Sequence, residues 1–541
     1  MKMFRVGVKL SLLFFATMGI ASADHSEQVL ITKDHQVKTF LNRFHQDPFT
    51  VMNEQVVKKN SNGQVLSQKV LTEAQQELLA KRRYQLRNHM IEKDQFDYPD
   101  IGVGVFSAYL EDDLAEDFVF NPSSMERNIF EMDKAKLTEG KLVERPWSDD
   151  YWPIYKGQLG FRYADPKANA SVGFIRTIWD TIWGSDSAWY AFHKYVQKNP
   201  ASDYIKNNKS HMLSPSEKYD LLIDDKNFQL TNKMWQEGEE YYNTNWKVET
   251  WMGICHGWAA ASYMVPRPLH PVSVTTANTK HKIIFYPADI KALISLFWAN
   301  FDFRAKFIGG RCNVKSEEIK KDPENGRILN RECFDTNPGS WHMSVVNQMG
   351  INKKSFIIDA NYDYEVWNQP VVSYKYSYFN PQTFETYPDA TSAAIALKDY
   401  SNDKFARFRA PNAKKVVGVV MNITYASETS PMQGNDDPSM DNLIKVTYYY
   451  DLELDDQGDI LGGEWYVNAH PDFLWTPEMD VKPYIALDKT IKNQWNPTKE
   501  ALPKEWATTA LRASESKLPL GRILYALLAA SRGSNSFFED L

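Results

Sequence analysis

The sequence contains three cysteines, Cys255, Cys312 and Cys333, and three thiols cannot all pair among themselves. We take Cys255 as the unpaired one, and it lies within WMGICHGWAAAS, residues 251–262. An unpaired thiol is a hazard in an oxidising compartment, whereas a thiolate is a strong nucleophile. These residues therefore indicate nucleophilic catalysis by Cys255. The alternative is a small apolar side chain that starts a core helix.

The residues that follow Cys255 predict how the thiol is positioned. The run from Ala259 to Met264 favours a helix that ends before Pro266. Cys255 would then lie at or near a helix N-terminus, where the helix dipole favours a thiolate and free backbone N–H groups can hold an oxyanion. Gly253 and Gly257 would leave room for a substrate backbone.

A nucleophilic cysteine needs a base, and two histidines are candidates. His256 is adjacent to Cys255 in sequence, and neighbouring helical side chains do not face each other, so a structural role suits it better. His342 is the better candidate. It lies in the segment Trp341–Gln348, which we predict to be a strand because of its short length and β-branched content.

A hairpin register would give His342 a partner. The next predicted strand is Ser355–Asn361, and a symmetric four-residue loop between the two strands would pair Gln348 with Lys353. His342 would then lie directly opposite Asp359, which could fix the imidazole tautomer and stabilise the imidazolium. The alternative is a His–Asp pair on a solvated sheet face, and a one-residue slip would separate the two side chains.

The first 23 residues have the pattern of a secretory signal peptide. A basic start precedes the apolar run Leu10–Ile20, and the small residues Ala21-Ser22-Ala23 precede a predicted cleavage point at Asp24. Eleven apolar residues are too few to span a bilayer. The full chain has a formal net charge of −7, and a leader with three basic residues would leave −10. We therefore expect a secreted protein, extracellular or periplasmic, without bulk-charge binding to nucleic acid.

Secretion also favours a disulfide between Cys312 and Cys333. The two cysteines flank a polar segment that precedes His342, and the bond would close a loop of about 20 residues. Such a loop could contribute on the order of 3 kcal/mol through chain entropy. Two free thiols would be typical of the cytosol instead.

The chain predicts an α+β fold in three parts after the leader. Residues 24–95 form a helical N-terminal segment, which could be a propeptide over the cleft or an accessory domain. Residues 96–480 form the catalytic domain and residues 481–541 a C-terminal extension. Within the catalytic domain, Leu443–Leu454 and Asp459–Val467 favour a hairpin.

The order Cys, His, Asp resembles the transglutaminase branch of the papain-like superfamily. The local sequences are similar to the transglutaminase elicitor family, which includes oomycete cell-wall enzymes and secreted bacterial relatives, from about residue 98 to 480. The motifs that carry the resemblance are Pro146-Trp147 with Tyr151-Trp152-Pro153, Ser214–Tyr219, Cys255–Ala259, Arg331–Ser340 and Gly462–Trp465.

The resemblance implies a core in which a catalytic Cys at a helix N-terminus packs on an antiparallel sheet that carries His342 and Asp359. It implies acyl transfer from a protein glutamine to a lysine or polyamine, with Cys255 as nucleophile, His342 as acid and base, and Asp359 as its orienting partner. Water in place of the amine would give deamidation. An aromatic wall from Trp246, Trp251 or Trp258 would exclude water, and Asn245 is a candidate oxyanion donor.

The sequence itself requires no cofactor, although the resemblance allows calcium because many transglutaminases depend on it. The acidic clusters at Asp436-Asp437 and at Asp455, Asp456 and Asp459 do not match an EF-hand loop. Solvated turns are the simpler explanation, and we assign no metal ligands.

Two other functions remain open from the sequence. A secreted papain-like cysteine protease or a glutamine deamidase would use the same triad with a different acyl acceptor. A non-catalytic surface-binding or elicitor protein would retain only a vestigial triad.

Overall fold

The helices and strands are taken from a computed structural model that describes residues 34–66, 114–168, 188–245, 248–310, 312, 314, 318–360 and 365–534. The strands are β1 Lys58–Asn60, β2 Glu139–Lys141, β3 Val272–Thr275, β4 Lys282–Phe285, β5 Ala305–Gly309, β6 Ile357–Asp359, β7 Asn368–Phe379, β8 Thr386–Tyr387, β9 Ile395–Ala396, β10 Lys415–Ser427, β11 Asn442–Leu454, β12 Ile460–Trp465 and β13 Phe473–Pro477. The helices are α1 Asp34–Gln46, α2 Pro48–Met52, α3 Ala115–Phe118, α4 Ile129–Lys134, α5 Ala188–Lys198, α6 Ala201–Lys206, α7 Pro215–Leu222, α8 Gln229–Asn245, α9 Cys255–Met264, α10 Pro287–Asn300, α11 Pro338–Val345, α12 Ala390–Ala393, α13 Lys504–Ser514 and α14 Gly521–Ser531.

A large antiparallel sheet organises the molecule. Its main path runs β1-β11-β10-β7-β6-β13-β5, and β12 pairs with β11 beside β1. The longest ladder joins β10 to β11 from Lys415↔Leu454 to Ser427↔Asn442. These two strands are rich in valine, isoleucine and tyrosine, which pack well on a pleated surface. The predicted α+β class and the predicted β11–β12 hairpin are confirmed.

The sheet divides two hydrophobic cores. The first core contains α9, α10, α13 and α14, and it includes Ile357 and Trp475. The second core contains α1 and α11 together with the long strands, and it includes Ile358 and Leu474. Because successive residues of a strand point to opposite faces, these alternations show that β6 and β13 present one face to each core.

Both ends of the described chain join these cores. Val37, Leu41 and Phe44 of α1 are buried in the second core, and β1 pairs with β11. Helices α13 and α14 pack in the first core. The described residues, 34–534 with the gaps given above, belong to one compact unit. The predicted signal peptide, residues 1–23, lies outside the described residues, and so do residues 24–33 and 67–95 of the predicted N-terminal segment. The domain boundaries and the removal of a propeptide stay predictions.

The predicted strand Trp341–Gln348 is wrong. Residues 338–345 form α11, and a π-helical turn continues to Ile351. The start of α11 explains the difference: Asn337 caps it by accepting a hydrogen bond from the Gly339 N–H at 2.8 Å, and Pro338 occupies the first turn. Both are strong helix-start signals, and they outweigh the valines further along.

The hairpin register between His342 and Asp359 is therefore wrong as well. His342 lies on a helix rather than on the sheet. Asp359 does lie on a strand, β6, but this strand pairs with β7 and β13. A hairpin partner for β6 in the preceding segment does not form, because that segment is helical.

Helix α9 packs very closely on α10 through a glycine. A Cβ atom at Gly257 would overlap the Ser295 carbonyl oxygen, and one at Gly253 would overlap the Tyr151 carbonyl oxygen. The expectation that both glycines make room for substrate is wrong, because protein backbone fills the space beside each of them. Their role is to let neighbouring segments approach the start of α9.

We predict that Gly257→Ala lowers the free energy of unfolding by about 1–2 kcal/mol, because overlap with backbone forces α9 away from α10. The matched control is Gly310→Ala, since a Cβ at Gly310 meets no atom within 4 Å, and we expect it to stay within about 0.5 kcal/mol of the unmodified protein. Urea unfolding of both variants checks this. Equal midpoints would contradict the close approach.

Candidate active site

Cys255 is the first residue of α9, as the sequence predicted. The preceding N–H, of Ile254, donates to the Tyr151 carbonyl oxygen at 2.8 Å and fixes the entry into the helix. The first backbone hydrogen bond of the helix runs from the Trp258 N–H to the Ile254 carbonyl oxygen at 3.1 Å. The Cys255 N–H has no backbone acceptor within the described ranges. It is therefore available as an oxyanion donor.

Asn368, at the start of β7, contacts the thiol directly. Its Nδ2 donates to Cys255 Sγ at 3.5 Å, and its Oδ1 accepts from Trp475 Nε1 at 2.7 Å. All three side chains are buried. The amide of Asn368 is thereby held in one orientation, with its NH₂ group towards sulfur. A donor in this position stabilises the thiolate more than the thiol.

Asp359 lies beside Asn368 on the neighbouring strand. The two residues are direct register partners in the β6–β7 ladder, so their side chains share a face. Ile357, two residues before Asp359, belongs to the first core together with Cys255, which places Asp359 on the thiol's side of the sheet. Its Oδ1 accepts from the Trp367 N–H at 3.0 Å.

Negatively charged carboxylates act on the thiol. Burial raises the pKa of Cys255 to about 11, the hydrogen bond from Asn368 lowers it in part, and the negative charges of Glu428 and Asp359 raise it further. Burial and the charge of Asp359 also raise the pKa of Asp335 well above its usual range. The sequence predicted a helix-stabilised thiolate, but burial outweighs the helix here. The resting thiol is protonated, and attack requires a base.

His342 lies on the other side of the sheet. Its Nδ1 shares a hydrogen bond of 2.8 Å with the Tyr450 hydroxyl, and its ring packs edge-on against Tyr376 with centroids 4.7 Å apart. Both tyrosines belong to the second core. Burial lowers the pKa of His342 to about 3. None of its hydrogen bonds within the described chain reaches Cys255, so the predicted Cys–His–Asp constellation is not assembled by hydrogen bonds.

Two of the tryptophans predicted as a wall against water, Trp251 and Trp258, lie within the described residues. Trp258 is fully buried, and its Nε1 donates to the Trp147 carbonyl oxygen at 3.0 Å. Trp251 is partly exposed. Trp246 lies outside the described residues, and Asn245 is described only as the last residue of α8.

Tyr151 and Trp367 form an aromatic pair, with ring centroids 5.2 Å apart. Both side chains are partly exposed. Each is adjacent to a residue that contacts Cys255 or the start of its helix: the Tyr151 carbonyl oxygen accepts from the Ile254 N–H, and Trp367 precedes Asn368. The sequence signal that could have pointed to this pair is Asn368. Asparagine is depleted in strands, and this one begins β7.

The cysteine pairing is confirmed. Cys312 and Cys333 form a disulfide, and Cys255 is a free, buried cysteine. A single free thiol among the described cysteines makes chemical labelling of this site unambiguous.

Asp436 and Asp455, from the two acidic clusters named from the sequence, form ion pairs or hydrogen bonds within the protein. Asp436 pairs with Arg267 at 2.9 Å and also with Lys291. Asp455 accepts from the backbone N–H groups of Gln457 and Gly458, at 2.8 Å each. Among the residues described, no three His, Cys, Asp or Glu side chains gather as metal ligands would. Calcium stays a prediction from the resemblance alone.

A family model described as transglutaminase elicitor matches residues 113–491, which is more than half of the chain. The chain belongs to the transglutaminase elicitor family. Among solved structures, it is similar to the crystal structure of the GP42 transglutaminase from Phytophthora sojae, with 19% sequence identity, a TM-score of 0.43, and coverage of 72% of this chain and 94% of that chain. No curated protein matches this chain.

No described helix of this family member has the length and apolar character needed to cross a bilayer.

We predict that alkylation of Cys255 by iodoacetamide accelerates with pH towards about 11, because burial holds the thiol protonated at neutral pH. Asn368→Ala should move this inflection to still higher pH, since the donor to sulfur is lost. Mass spectrometry of the non-reduced protein identifies the labelled residue, and Cys255→Ser is the control without the thiol. An inflection near 8.5, as in a free thiol, would contradict the role of burial.

Proposed function

We propose that this protein is a secreted protein-glutamine γ-glutamyltransferase, a transglutaminase with Cys255 as nucleophile. The observation that carries the proposal is the hydrogen bond from Asn368 Nδ2 to the Cys255 sulfur at the start of α9. A buried thiol with a dedicated donor, a free helix N-terminus and a carboxylate on the same sheet face has what acyl transfer needs. Membership of the transglutaminase elicitor family supports the same reaction class.

In the proposed reaction, Cys255 sulfur attacks the γ-carboxamide carbon of a protein glutamine while Asp359 accepts the thiol proton. The carbon–nitrogen bond then breaks, and ammonia leaves with that proton. A thioester remains on Cys255. The amine of a lysine or polyamine next attacks the thioester, an isopeptide bond forms, and the amine's proton returns to sulfur.

Each neighbour of the thiol has a part in these steps. The Cys255 N–H would stabilise the oxyanion of both tetrahedral intermediates. Asn368, fixed by Trp475, would hold the sulfur as its charge develops. The Tyr151–Trp367 pair would limit the access of water, which otherwise yields deamidation.

We assign the base to Asp359 in place of His342, the base predicted from the sequence. Asp359 lies on the thiol's face of the sheet, whereas His342 packs in the second core with its Nδ1 engaged by Tyr450. A histidine with a pKa of about 3 would also be a weak base.

Secretion is part of the proposal. The signal-peptide pattern at residues 1–23 supports it, and so does the Cys312–Cys333 disulfide, because structural disulfides are rare in reducing compartments.

We predict that the protein incorporates a dansylated primary amine into a glutamine-containing protein. Cys255→Ser should abolish this incorporation, because no thioester can form. Fluorescence of the electrophoresed product measures it. Peptide-bond cleavage without incorporation would establish a cysteine protease instead. Elicitor activity that survives Cys255→Ser, together with no incorporation by the unmodified protein, would establish the non-catalytic alternative.

We further predict that Asp359→Asn lowers kcat about 10²- to 10⁴-fold, the usual contribution of a general acid–base group. His342→Asn should keep kcat within about tenfold while it destabilises the second core by about 1–3 kcal/mol. Thermal unfolding of both variants separates a folding defect from a chemical one. A folded His342→Asn variant that loses as much kcat as Asp359→Asn would identify His342 as the base.

A further inference from the structure

A second carboxyl group, that of Asp335, lies near the proposed base Asp359 and takes no part in the proposed reaction steps. Asp335 precedes α11 and has a left-handed backbone, with a φ of 52°. Residues other than glycine rarely adopt this conformation, and asparagine and aspartate do so most readily. Such backbone outliers cluster at functional sites, which directs attention to what the Asp335 side chain meets.

The backbone on both sides of Asp335 is held in place. Cys333, two residues before it, is fixed by the disulfide. Thr336, directly after it, donates through Oγ1 to the Asp472 carbonyl oxygen at 3.2 Å. The Thr336 carbonyl oxygen accepts from Trp465 Nε1 at 2.8 Å. The position of the Asp335 carboxyl group therefore depends on these contacts and not on a free loop.

The same contacts bring Asp335 to the end of β6. Extended by one residue, the antiparallel register of β6 with β13 sets Phe473 opposite Asp359. Thr336 is bonded to Asp472, which directly precedes Phe473. Asp335 thus lies beside the strand end that carries Asp359. The electrostatics agree, because burial raises the pKa of Asp335 and the negative charge of Asp359 raises it further.

Hydrogen bonding distinguishes the two carboxyl groups. Asp359 Oδ1 accepts the Trp367 N–H at 3.0 Å, and such a donor favours the ionised form. Asp335 is partly exposed as a residue, but its Oδ1 is a buried oxygen with no hydrogen-bond partner in the described part of the chain. Two neighbouring buried carboxyl groups do not both ionise readily, so one of them keeps a proton. The donor at Asp359 favours the proton on Asp335.

We infer that Asp335 is a positioning residue, a neutral carboxylic acid that donates a hydrogen bond to the Asp359 carboxylate and so keeps Asp359 ionised and oriented as the base. The inference rests on the proposed transglutaminase function. Protonation turns the unsatisfied carboxyl group of Asp335 into a donor, which its neighbour can accept. Asp335 keeps its proton throughout: the thiol proton of Cys255 passes to Asp359 and leaves with ammonia.

The test uses the full chain with two substitutions that both tolerate a left-handed backbone, Asp335→Asn and Asp335→Gly. Asparagine keeps a neutral donor in place of the acid, whereas glycine removes the side chain. With a dansylated amine and a glutamine-containing protein, we expect Asp335→Asn to keep kcat within about threefold. Asp335→Gly should lower kcat about tenfold to a hundredfold with little change in KM, in line with the loss of a hydrogen bond to a charged group.

Infrared difference spectroscopy adds a measurement that does not depend on activity. At neutral pH the unmodified protein should show the C=O stretching band of a protonated carboxylic acid that Asp335→Asn lacks. Ionised carboxylates absorb elsewhere, so the band reports the neutral acid directly. Asp359→Asn should not remove this band, because the proton is assigned to Asp335.

The matched control is Asp224, which also has a positive φ, of 60°, and follows α7. Its Oδ1 accepts from Asn278 Nδ2. Asp224→Asn and Asp224→Gly should leave kcat and the carboxylic-acid band unchanged. Thermal unfolding of every variant separates a folding defect from an effect on the chemistry.

Three results would overturn the inference while leaving the transglutaminase function intact. They are a folded Asp335→Gly variant with unchanged kcat, a folded Asp335→Asn variant as slow as Asp335→Gly, and a carboxylic-acid band that Asp335→Asn does not remove. Absence of amine incorporation by the unmodified protein would instead overturn the proposed function and the positioning role together.

Discussion

The amide of Asn368 is the constraint on which the site depends. It joins three elements that are distant in sequence: β7 carries the residue, α9 carries the sulfur that receives its N–H, and β13 carries the indole that fixes its oxygen. If the indole were absent, the amide could rotate and turn its oxygen towards sulfur, which would repel a thiolate. The buried Trp475 therefore decides which end of the amide the sulfur meets.

Burial affects the thiol and the thiolate of Cys255 in different ways. It keeps the thiol protonated and so protects it from oxidation, because the thiolate is the reactive form. It also strengthens every dipole aimed at the sulfur once the thiolate forms, because the local dielectric is low. The same buried environment can thus keep the resting Cys255 thiol unreactive and stabilise the thiolate once it forms.

Local signals in the sequence predicted several structural features correctly and one incorrectly. The start of α9, the β11–β12 hairpin and the cysteine pairing all depend on nearby residues, and each was predictable. The error at Trp341–Gln348 arose because β-branched content was weighed above Asn337-Pro338, which begins a helix.

The polar contacts of the thiol could not be predicted, because they link residues that lie more than 100 positions apart. Asn368 is separated from Cys255 by 113 positions and from Trp475 by 107. Their meeting depends on how β7 and β13 lie around β6, and no local propensity fixes that order. The same limit explains why the hairpin register from which Asp359 was predicted is wrong.

The pairing of β1 with β11 covers part of a sheet edge that could otherwise pair with another chain. Lys58–Asn60 cover Ile444–Val446, while β12 covers the other half of β11. Without the N-terminal strand, that stretch of β11 would present unpaired N–H and C=O groups beside apolar side chains. Such an edge is a template for pairing with another chain. The N-terminal segment thus acts as a built-in edge protector, and its Lys58 and Lys59 place positive charges where a second copy would otherwise add a strand.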